Sequence, residues 1–403
     1  VGQVVRNNEQ FETNIRADHR GQLLKVGPDS GRVDAFGRQR VSEPFTLFDS
    51  TMRFDERTDQ WFTVLAGGGA VTYLPNQSSL SMAVTTNGDS VLRRSKKRFP
   101  YQPGKSLQIL QSFVGTTPVD GLVQECGLFD DDNGIMVRVS GTTVQFVIRG
   151  KYNGAVQETV INQDDWNIDT YDDLDVSKAN IFTADIEWLG AGRVRLGFVV
   201  DGEYKYCHEQ NHANAIDHVY MTTAILPCSY RIASTGAAGT MKQVCTSVQS
   251  EGGYEPSGPI YIAGRGATGV AAISTEQVVA GIRMASGRTG NVIMPAQVDA
   301  TIEGNTTALW RLRLNPTITS GTWTAADNGR GNVQTLTAAT FSGGTVVAAG
   351  LVGSRGSTAF NAESALSLAL GIDENGASDI LVLTMEADSS TKGLGVLGWR
   401  ELV

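Results

Sequence analysis

The sequence predicts an all-β protein of antiparallel sheets, and three observations carry that prediction. Apolar residues alternate with polar ones over short runs, the period of a strand with one face in a core. Glycine supplies 46 of the 403 residues, above the usual ~7%, and it often follows Asn or Asp in turn dipeptides. Between the runs almost nothing has a helical period, which argues for a sandwich over a βαβ sheet. Hydrophobic residues make up 41% of the chain, enough for packed cores, so global disorder is excluded. At ~150 residues per domain the length suggests two or three domains.

Residues 1–43 are polar, mixed in charge and interrupted by Gly21, Gly27, Pro28, Gly31 and Gly37, which break every candidate helix. They read as an extended arm, frayed in a monomer and draped over a neighbour in an assembly. Residues 44–252 form the first predicted β domain. In 193–200 the side chains of Val194, Leu196, Phe198 and Val200 share one face, and Arg193 and Arg195 share the other. Asp201-Gly202 is a two-residue hairpin turn into a returning strand at 203–209. A second hairpin is marked by Asp132-Asn133-Gly134, between strands at 127–129 and 135–139, and Gly141 turns the chain into 143–149.

Residues 251–259 (EGGYEPSGP) are the best linker in the chain. From within this linker, 253–403 form a second predicted β domain. Trp310, Leu312 and Leu314 alternate with Arg311 and Arg313, and Leu366, Leu368 and Leu370 alternate with Ser367 and Ala369. The run ILVLT at 380–384 reads as a strand buried on both faces, and Asn328-Gly329 and Asn375-Gly376 read as turns. Residues 274–284 are the one helix candidate, opened by Ser274 with Gln277 three residues on. No internal repeat is visible, which disfavours propellers and β-helices.

The net charge of −9, from 42 acidic and 33 basic residues, argues against a nucleic-acid partner, because phosphate binding needs a broad positive face. Cys126, Cys207, Cys228 and Cys245 contain no Cys-x-x-Cys pair, so no zinc ribbon or redox motif is expected. Few cysteines in a long chain fit a reducing compartment, with thiols buried as small apolar groups. No apolar run approaches a membrane span. The first twenty residues lack a basic segment followed by an apolar one, so no secretory signal is expected.

Several segments resemble a family of tailed-bacteriophage virion proteins common in marine and freshwater phages. They are DAFGRQRVSEPFTLFDS (34–50), KRFPYQPGKSLQIL (97–110), GLFDDDNGIMVRVSGTTVQFVIRG (127–150), IEWLGAGRVRLGFVVDGEYKYCHE (186–209) and VCTSVQSEGG (244–253). ALWRLRLNP (308–316) and LGWREL (397–402) are similar to that family's second domain. The resemblance implies a lectin-like jelly-roll sandwich followed by a C-terminal β-sandwich, and a role as a virion structural protein. Its motifs are structural and carry no chemistry, and the lectin-like comparison is a fold analogy that does not establish sugar binding.

His208-Glu209-Gln210-Asn211-His212 matches the zinc-protease pattern H-E-x-x-H. That pattern needs a helix, and on the strand predicted here the two histidines would stand about 13 Å apart, too far for one ion. His218 could add a ligand by composition only. Asp164, Asp165, Asp169, Asp172, Asp173 and Asp175 form an acidic loop that could hold calcium but lacks the EF-hand spacing. Asp130, Asp131 and Asp132 read as turn chemistry. Arg93, Arg94, Lys96, Lys97 and Arg98 are the densest basic run. Its members alternate between two faces, which favours an edge or subunit-interface role over nucleic acid. No phosphate loop and no Gly-x-Ser-x-Gly elbow is present, and nothing singles out a Ser-His-Asp triad or a carboxylate pair.

The reading that follows is a non-enzymatic phage structural protein without cofactor or metal, part of a capsid decoration, fibre, tail or baseplate. It would be assembled in the host cytoplasm, acting through contacts with other copies of itself and other virion proteins, with no nucleic-acid or membrane partner. Phe36, Phe45, Leu47 and Phe48 are the candidate assembly residues, with the basic run Arg93, Arg94, Lys96, Lys97 and Arg98 as a rim. The alternative is a receptor-binding protein that recognises host surface glycan through Trp61 or Trp166. A zinc hydrolase at His208 and His212 is the third reading.

Overall fold

The computed structural model describes strands 4–6, 12–17 and 23–26. From residue 33 onward it describes every residue except 39, 41, 42, 256, 257, 289, 290, 327, 328, 338, 355, 356, 362–368, 373–375 and 403. The fold is all-β and antiparallel throughout. Among the described residues the only helical turns are single 3-10 turns at Pro75–Gln77, Gln163–Asp165 and Gly266–Thr268. The chain divides into two compact units, Val1–Ser95 with Phe99–Tyr254, and Glu255–Val403 with Lys96–Arg98. Of the four arm glycines and one proline named above, only Gly37 lies within the described residues.

The arm contributes β1 (Val4–Arg6), β2 (Glu12–Ala17) and β3 (Leu23–Val26). They form a three-stranded meander of their own, with Val5 opposite Thr13 and Ile15 opposite Lys25. The first sandwich follows as β4 (Phe45–Thr51), β5 (Trp61–Ala66), β6 (Ala70–Leu74), β7 (Ser79–Val84), β8 (Ser90–Ser95), β9 (Leu107–Val114), β10 (Leu122–Phe129) and β11 (Gly134–Ser140). It continues with β12 (Thr143–Gly150), β13 (Gln157–Asn162), β14 (Ala179–Ile186), β15 (Val194–Val200), β16 (Glu203–Gln210), β17 (Cys228–Ser234) and β18 (Gly239–Ser250). One sheet runs β13-β12-β11-β10-β17-β8-β5, the other β16-β15-β14-β9-β18-β7-β6, with β4 also paired to β18.

The core lies between these sheets. Phe146 on β12 meets Phe182 on β14 and Phe198 on β15, with ring centres 6.2 and 6.0 Å apart. The alternation read in 193–200 therefore points Val194, Leu196 and Phe198 inward, all completely buried. Asp201 and Gly202 both take positive φ, 52° and 82°, as the hairpin turn between β15 and β16 requires. The Asp130 carboxylate accepts the amides of Asp132 and Asn133 at 2.9 and 2.8 Å, so this acidic run is a side-chain-capped turn. On the outer face of the β13–β5 sheet an ionic ladder crosses five strands. Arg231 and Arg138 bond Glu125 at 3.2 and 2.6 Å, and Arg138 and Arg149 bond Glu158 at 2.7 and 2.8 Å.

The second unit holds β19 (Tyr261–Gly264), β20 (Gln277–Met284), β21 (Val292–Ile302), β22 (Ala308–Leu314), β23 (Thr317–Gly321) and β24 (Thr324–Ala325). Next come β25 (Val333–Leu336), β26 (Ala339–Ser342), β27 (Thr345–Val352), β28 (Ser357–Asn361), β29 (Ile380–Ala387) and β30 (Gly393–Leu402). A β19-β30-β21-β28 sheet and a β24-β25-β20-β29-β22-β27 sheet enclose a core that includes Ile282, Val298, Trp310, Leu383, Met385, Leu397 and Trp399. Leu381, Val382, Leu383 and Thr384 are buried without alternation, as a central strand should be. The alternation at 366–370 and the turn residues Asn328 and Asn375 lie outside the described residues, apart from Ala369 and Leu370.

The helix candidate at 274–284 is corrected: β20 is a strand from Gln277 to Met284. It lies between β25 and β29, with a bulge between Val278 and Ala280. Burial of both faces removed the period-two signal, and the β-branched pair Val278 and Val279 favours the sheet. Gln277 does not close a capping box; its amide donates to the Thr275 hydroxyl at 2.9 Å.

Candidate functional site

The densest buried chemistry lies on the outer face of the β16–β6 sheet. In register, Asp185 on β14 stands between Gln108 on β9 and Arg195 on β15. The same faces that point Ala184 and Leu196 into the core aim Asp185 and Arg195 outward, yet both are completely buried. What covers them is the root of the arm, through Val33 and Arg40.

The cover is made by hydrogen bonds. Arg195 donates Nη2 to Asp185 Oδ2 at 2.5 Å and to the Val33 carbonyl at 2.6 Å. Arg40, from the covering segment, reaches the same Oδ2 at 2.6 Å, Gln108 Oε1 at 2.5 Å and Val33 O at 3.2 Å. Glu251 accepts a further ion pair from Arg40 at 3.1 Å. Arg193 donates Nε to the Ala35 carbonyl at 2.9 Å and pairs with Glu209 at 3.1 Å. Within the segment, Asp34 accepts both the amide and the guanidinium of Arg38 at 2.8 Å. Val33, Ala35 and Arg40, which composition assigns to the arm, are thus latched to the sandwich.

The electrostatics match this burial. The Arg195 guanidinium lies 4.2 Å over the Tyr206 ring, whose hydroxyl donates to Asp185 Oδ2 at 3.4 Å. Burial, then the Asp185 charge, raises the Tyr206 pKa. Burial also raises the pKa of Glu251, against the opposing pull of Arg40. The Asp185 carboxylate is held by two guanidinium groups and a phenol under a covering segment, an arrangement suited to fastening a chain.

Tyr206 reaches this face because of a bulge. β15 and β16 slip register between Leu196 and Gly197, so that Leu196 pairs with His208 and Gly197 with Tyr206. Cys207 is the extra residue. The slip turns Tyr206 outward and His208 inward. Gly197 permits it, since a Cβ there would lie 2.1 Å from the Lys205 carbonyl oxygen.

The same bulge disposes of the zinc-protease match. His208 lies within β16, while His212 lies in the following loop, stacked 4.0 Å from Tyr220 with Nδ1 2.7 Å from the Gly192 carbonyl. Burial lowers the pKa of both histidines. His218 stacks instead on Tyr152 at 3.8 Å. Asp169 pairs with Lys205 at 3.3 Å, and Asp175 caps Ser177. Among the described residues no three His, Cys, Asp or Glu side chains are grouped to hold a metal ion.

The other sequence candidates are placed as follows. Phe36 is half-buried beside the latch under the Arg38 guanidinium, 4.6 Å from the ring centre, and lines a cavity of about 610 Å³ with Glu187, Leu189 and Arg193. Phe45 is half-buried and stacks on Tyr254 at 6.2 Å. Leu47 and Phe48 are corrected: both are buried in the sandwich core, Phe48 against Phe99 at 5.0 Å.

The basic rim is corrected as well. β8 is not an edge, since it lies between β17 and β5. Arg93 and Arg94 do alternate between faces, but both are buried. Arg93 donates to the Glu56 carbonyl at 2.6 Å and to Thr63 at 2.8 Å, and burial pulls its pKa to about 10. Arg94 bonds Ser229 at 3.1 Å and Asp131 at 3.0 Å. Arg98 is buried too, while Lys96 and Lys97 are half-exposed, with burial pulling Lys97 to about 8.

Neither glycan candidate offers a stacking surface. Trp61 is buried and donates to the Ser50 hydroxyl at 2.8 Å. Trp166 is buried face to face on Phe146, ring centres 4.4 Å apart. Of the four cysteines three are buried; Cys245 is exposed and lines a second cavity of about 470 Å³ with Asp49, Ile181 and Tyr204. That exposure corrects the expectation that all the thiols are buried. β18 turns Cys245 to the outer face, with its Sγ 3.6 Å from Thr51 Oγ1 across the ladder to β4.

Sequence reasoning missed Arg40, Asp185 and Arg195, because period two assigns outward charges on a strand to water. The signal on offer was the pair Arg193 and Arg195 on a strand otherwise apolar.

No protein-family model and no curated protein matches the chain. Solved structures show a likeness to about half of it. A prokaryotic β-1,3-1,4-glucanase (lichenase) from a mouse hindgut metagenome is 13% identical with a TM-score of 0.35, over 50% of this chain and 97% of that one. The β-glucanase of Bacillus licheniformis is 11% identical with a TM-score of 0.34, over 52% and 98%. The receptor-binding domain of botulinum neurotoxin D is 8% identical with a TM-score of 0.33, over 51% and 49%.

Proposed function

We propose that this chain is a non-enzymatic structural component of a tailed-phage particle, working by assembly with other copies and other virion proteins. The observation that supports it is the latch. The charges of the outer face fasten Val33, Ala35 and Arg40, and so anchor the chain just after the N-terminal strands. Those strands pair only with one another among the described ladders. A small ribbon of this kind is marginal in water without a covering surface, and a neighbouring subunit supplies one. Apolar burial at roughly 25 cal/mol per Å² would then offset the ordering cost of ~1–2 kcal/mol per residue.

The test is deletion of residues 1–26, which leaves the latch whole. The truncated chain should fold as the parent does and be largely lost from purified particles. Undiminished copy number in the particle would remove the proposal.

A further inference from the structure

We propose that the open side of the first sandwich, edged by β5 and β6, pairs with the same edge of a second copy of this chain. It deepens the assembly reading and rests on it for its role in a particle; the pairing itself is a property of the isolated protein.

Residues 60–88 contain no charged side chain, in a chain that is 19% charged. This stretch supplies β5 and β6, the outermost strands of the two sheets on one side. Val64 and Leu65 on β5 are 42% and 50% exposed. Unprotected apolar edges recruit other strands, and proteins ordinarily guard them with charge. The opposite edges are guarded: β13 carries Glu158, and β16 carries Glu203, Lys205 and Glu209.

Of the charges nearest the open side, Asp89 and Arg93 are turned away from it, while Arg53 lies exposed beside β6, with its carbonyl accepting the Tyr73 hydroxyl at 2.9 Å and its guanidinium over the Phe54 ring. Asp89, which ends the uncharged stretch, is buried, its carboxylate accepting the amides of Gly68, Thr85 and Thr86 at 2.6, 2.9 and 2.8 Å. Arg93, on the strand beside β5, is buried and donates to Thr63. Gly69 holds the corner between the two edges close, since a Cβ there would lie 2.2 Å from the Ser90 carbonyl oxygen. The exposed charges of Asp55 and Asp59 stand before β5 and form a rim.

Charge selects the occupant. Docking β13 or β16 of another copy here would strip water from carboxylates and offer them no new partner, a costly burial. The same edge of a second copy brings no charge on its strands, and its rim carries both signs, Arg53 with Asp55 and Asp59. Antiparallel β5-to-β5 pairing is self-complementary about a two-fold axis and extends the sheet through backbone hydrogen bonds.

The experiment is sedimentation velocity on the full chain across a concentration series. Wild type should associate reversibly to a dimer. Val64→Lys with Thr72→Lys, both at exposed positions, should weaken association at least about 100-fold with unchanged circular dichroism. Thr159→Lys on exposed β13 should leave it intact. A monomeric wild type, or a dimer indifferent to the two lysines, would overturn the inference. So would loss of the dimer on deleting residues 1–26 alone, which would assign association to the arm. Solution mass reads the edge and copy number in particles reads the function, so the two can fail separately.

Discussion

Asp185 and Arg195 are both completely buried, and each is kept so by the other. Removing one partner of such a pair strands the other charge in a dry site, which costs about 3–5 kcal/mol. Asp185→Ala leaves two guanidinium groups, those of Arg195 and Arg40, without their shared acceptor. We expect urea unfolding of this variant, followed by tryptophan fluorescence, to show a loss in that range. The control is Asp132→Ala, because Asp132 and its partner Lys151 are 47% and 39% exposed, and screened pairs are worth about 0–1 kcal/mol. Equal losses at the two positions would mean that the latch is no more than a surface ion pair.

Among the elements, β16 shows what a sequence reveals and what it hides. Its existence, its hairpin and its start follow from alternation and from Asp201-Gly202, and the strand itself refuted the helical zinc motif. The bulge at Cys207 was illegible, because a one-residue slip leaves no mark in composition and reassigns each following side chain to the other face. The faces of Leu47, Phe48, Arg93 and Arg94 were hidden for related reasons: β4 is bulged against β18 beside Leu47 and Phe48, and β8 lies inside its sheet with both faces buried, so polarity stops reporting exposure. β20 lost its strand signal in the same way. Gly197→Ala tests the bulge. The methyl would meet backbone rather than a movable side chain, so we expect a loss of roughly 2 kcal/mol or more. Thermal unfolding measures it, and a neutral substitution would show that the β15–β16 ladder can relax without the glycine.

For the whole molecule, two separate hydrophobic cores predict two calorimetric transitions. Their pH dependence should differ, because every histidine precedes residue 255. Burial holds His208 and His212 below the ordinary imidazole value. The unfolded chain therefore binds protons first as pH falls, and the stability of keeping both rings neutral is complete above ~6.5 and lost below it. A second loss follows from Glu158, held at about 2 by hydrogen bonding from Arg138 and then by Arg149. Its contribution is full above the ordinary carboxylate value of ~4.3 and disappears as pH falls through 2. Acidifying from pH 7 to 5.5 should thus lower the transition of the first sandwich and leave the other nearly in place. Parallel shifts of both transitions would contradict this assignment.

The latch also determines how the protein bears tension. A pull toward the N terminus enters the first sandwich at Val33 and Ala35, where three arginine side chains grip two carbonyl groups. Arg195 on β15 and Arg193 just before it share the load, so the grip yields as a unit. Once it yields, the chain between Val33 and β4 can extend by up to ~3.5 Å per residue before β4 is strained. A subunit tethered by its N terminus would absorb a jolt in this short fuse, with its sheets still folded and its grip free to re-form.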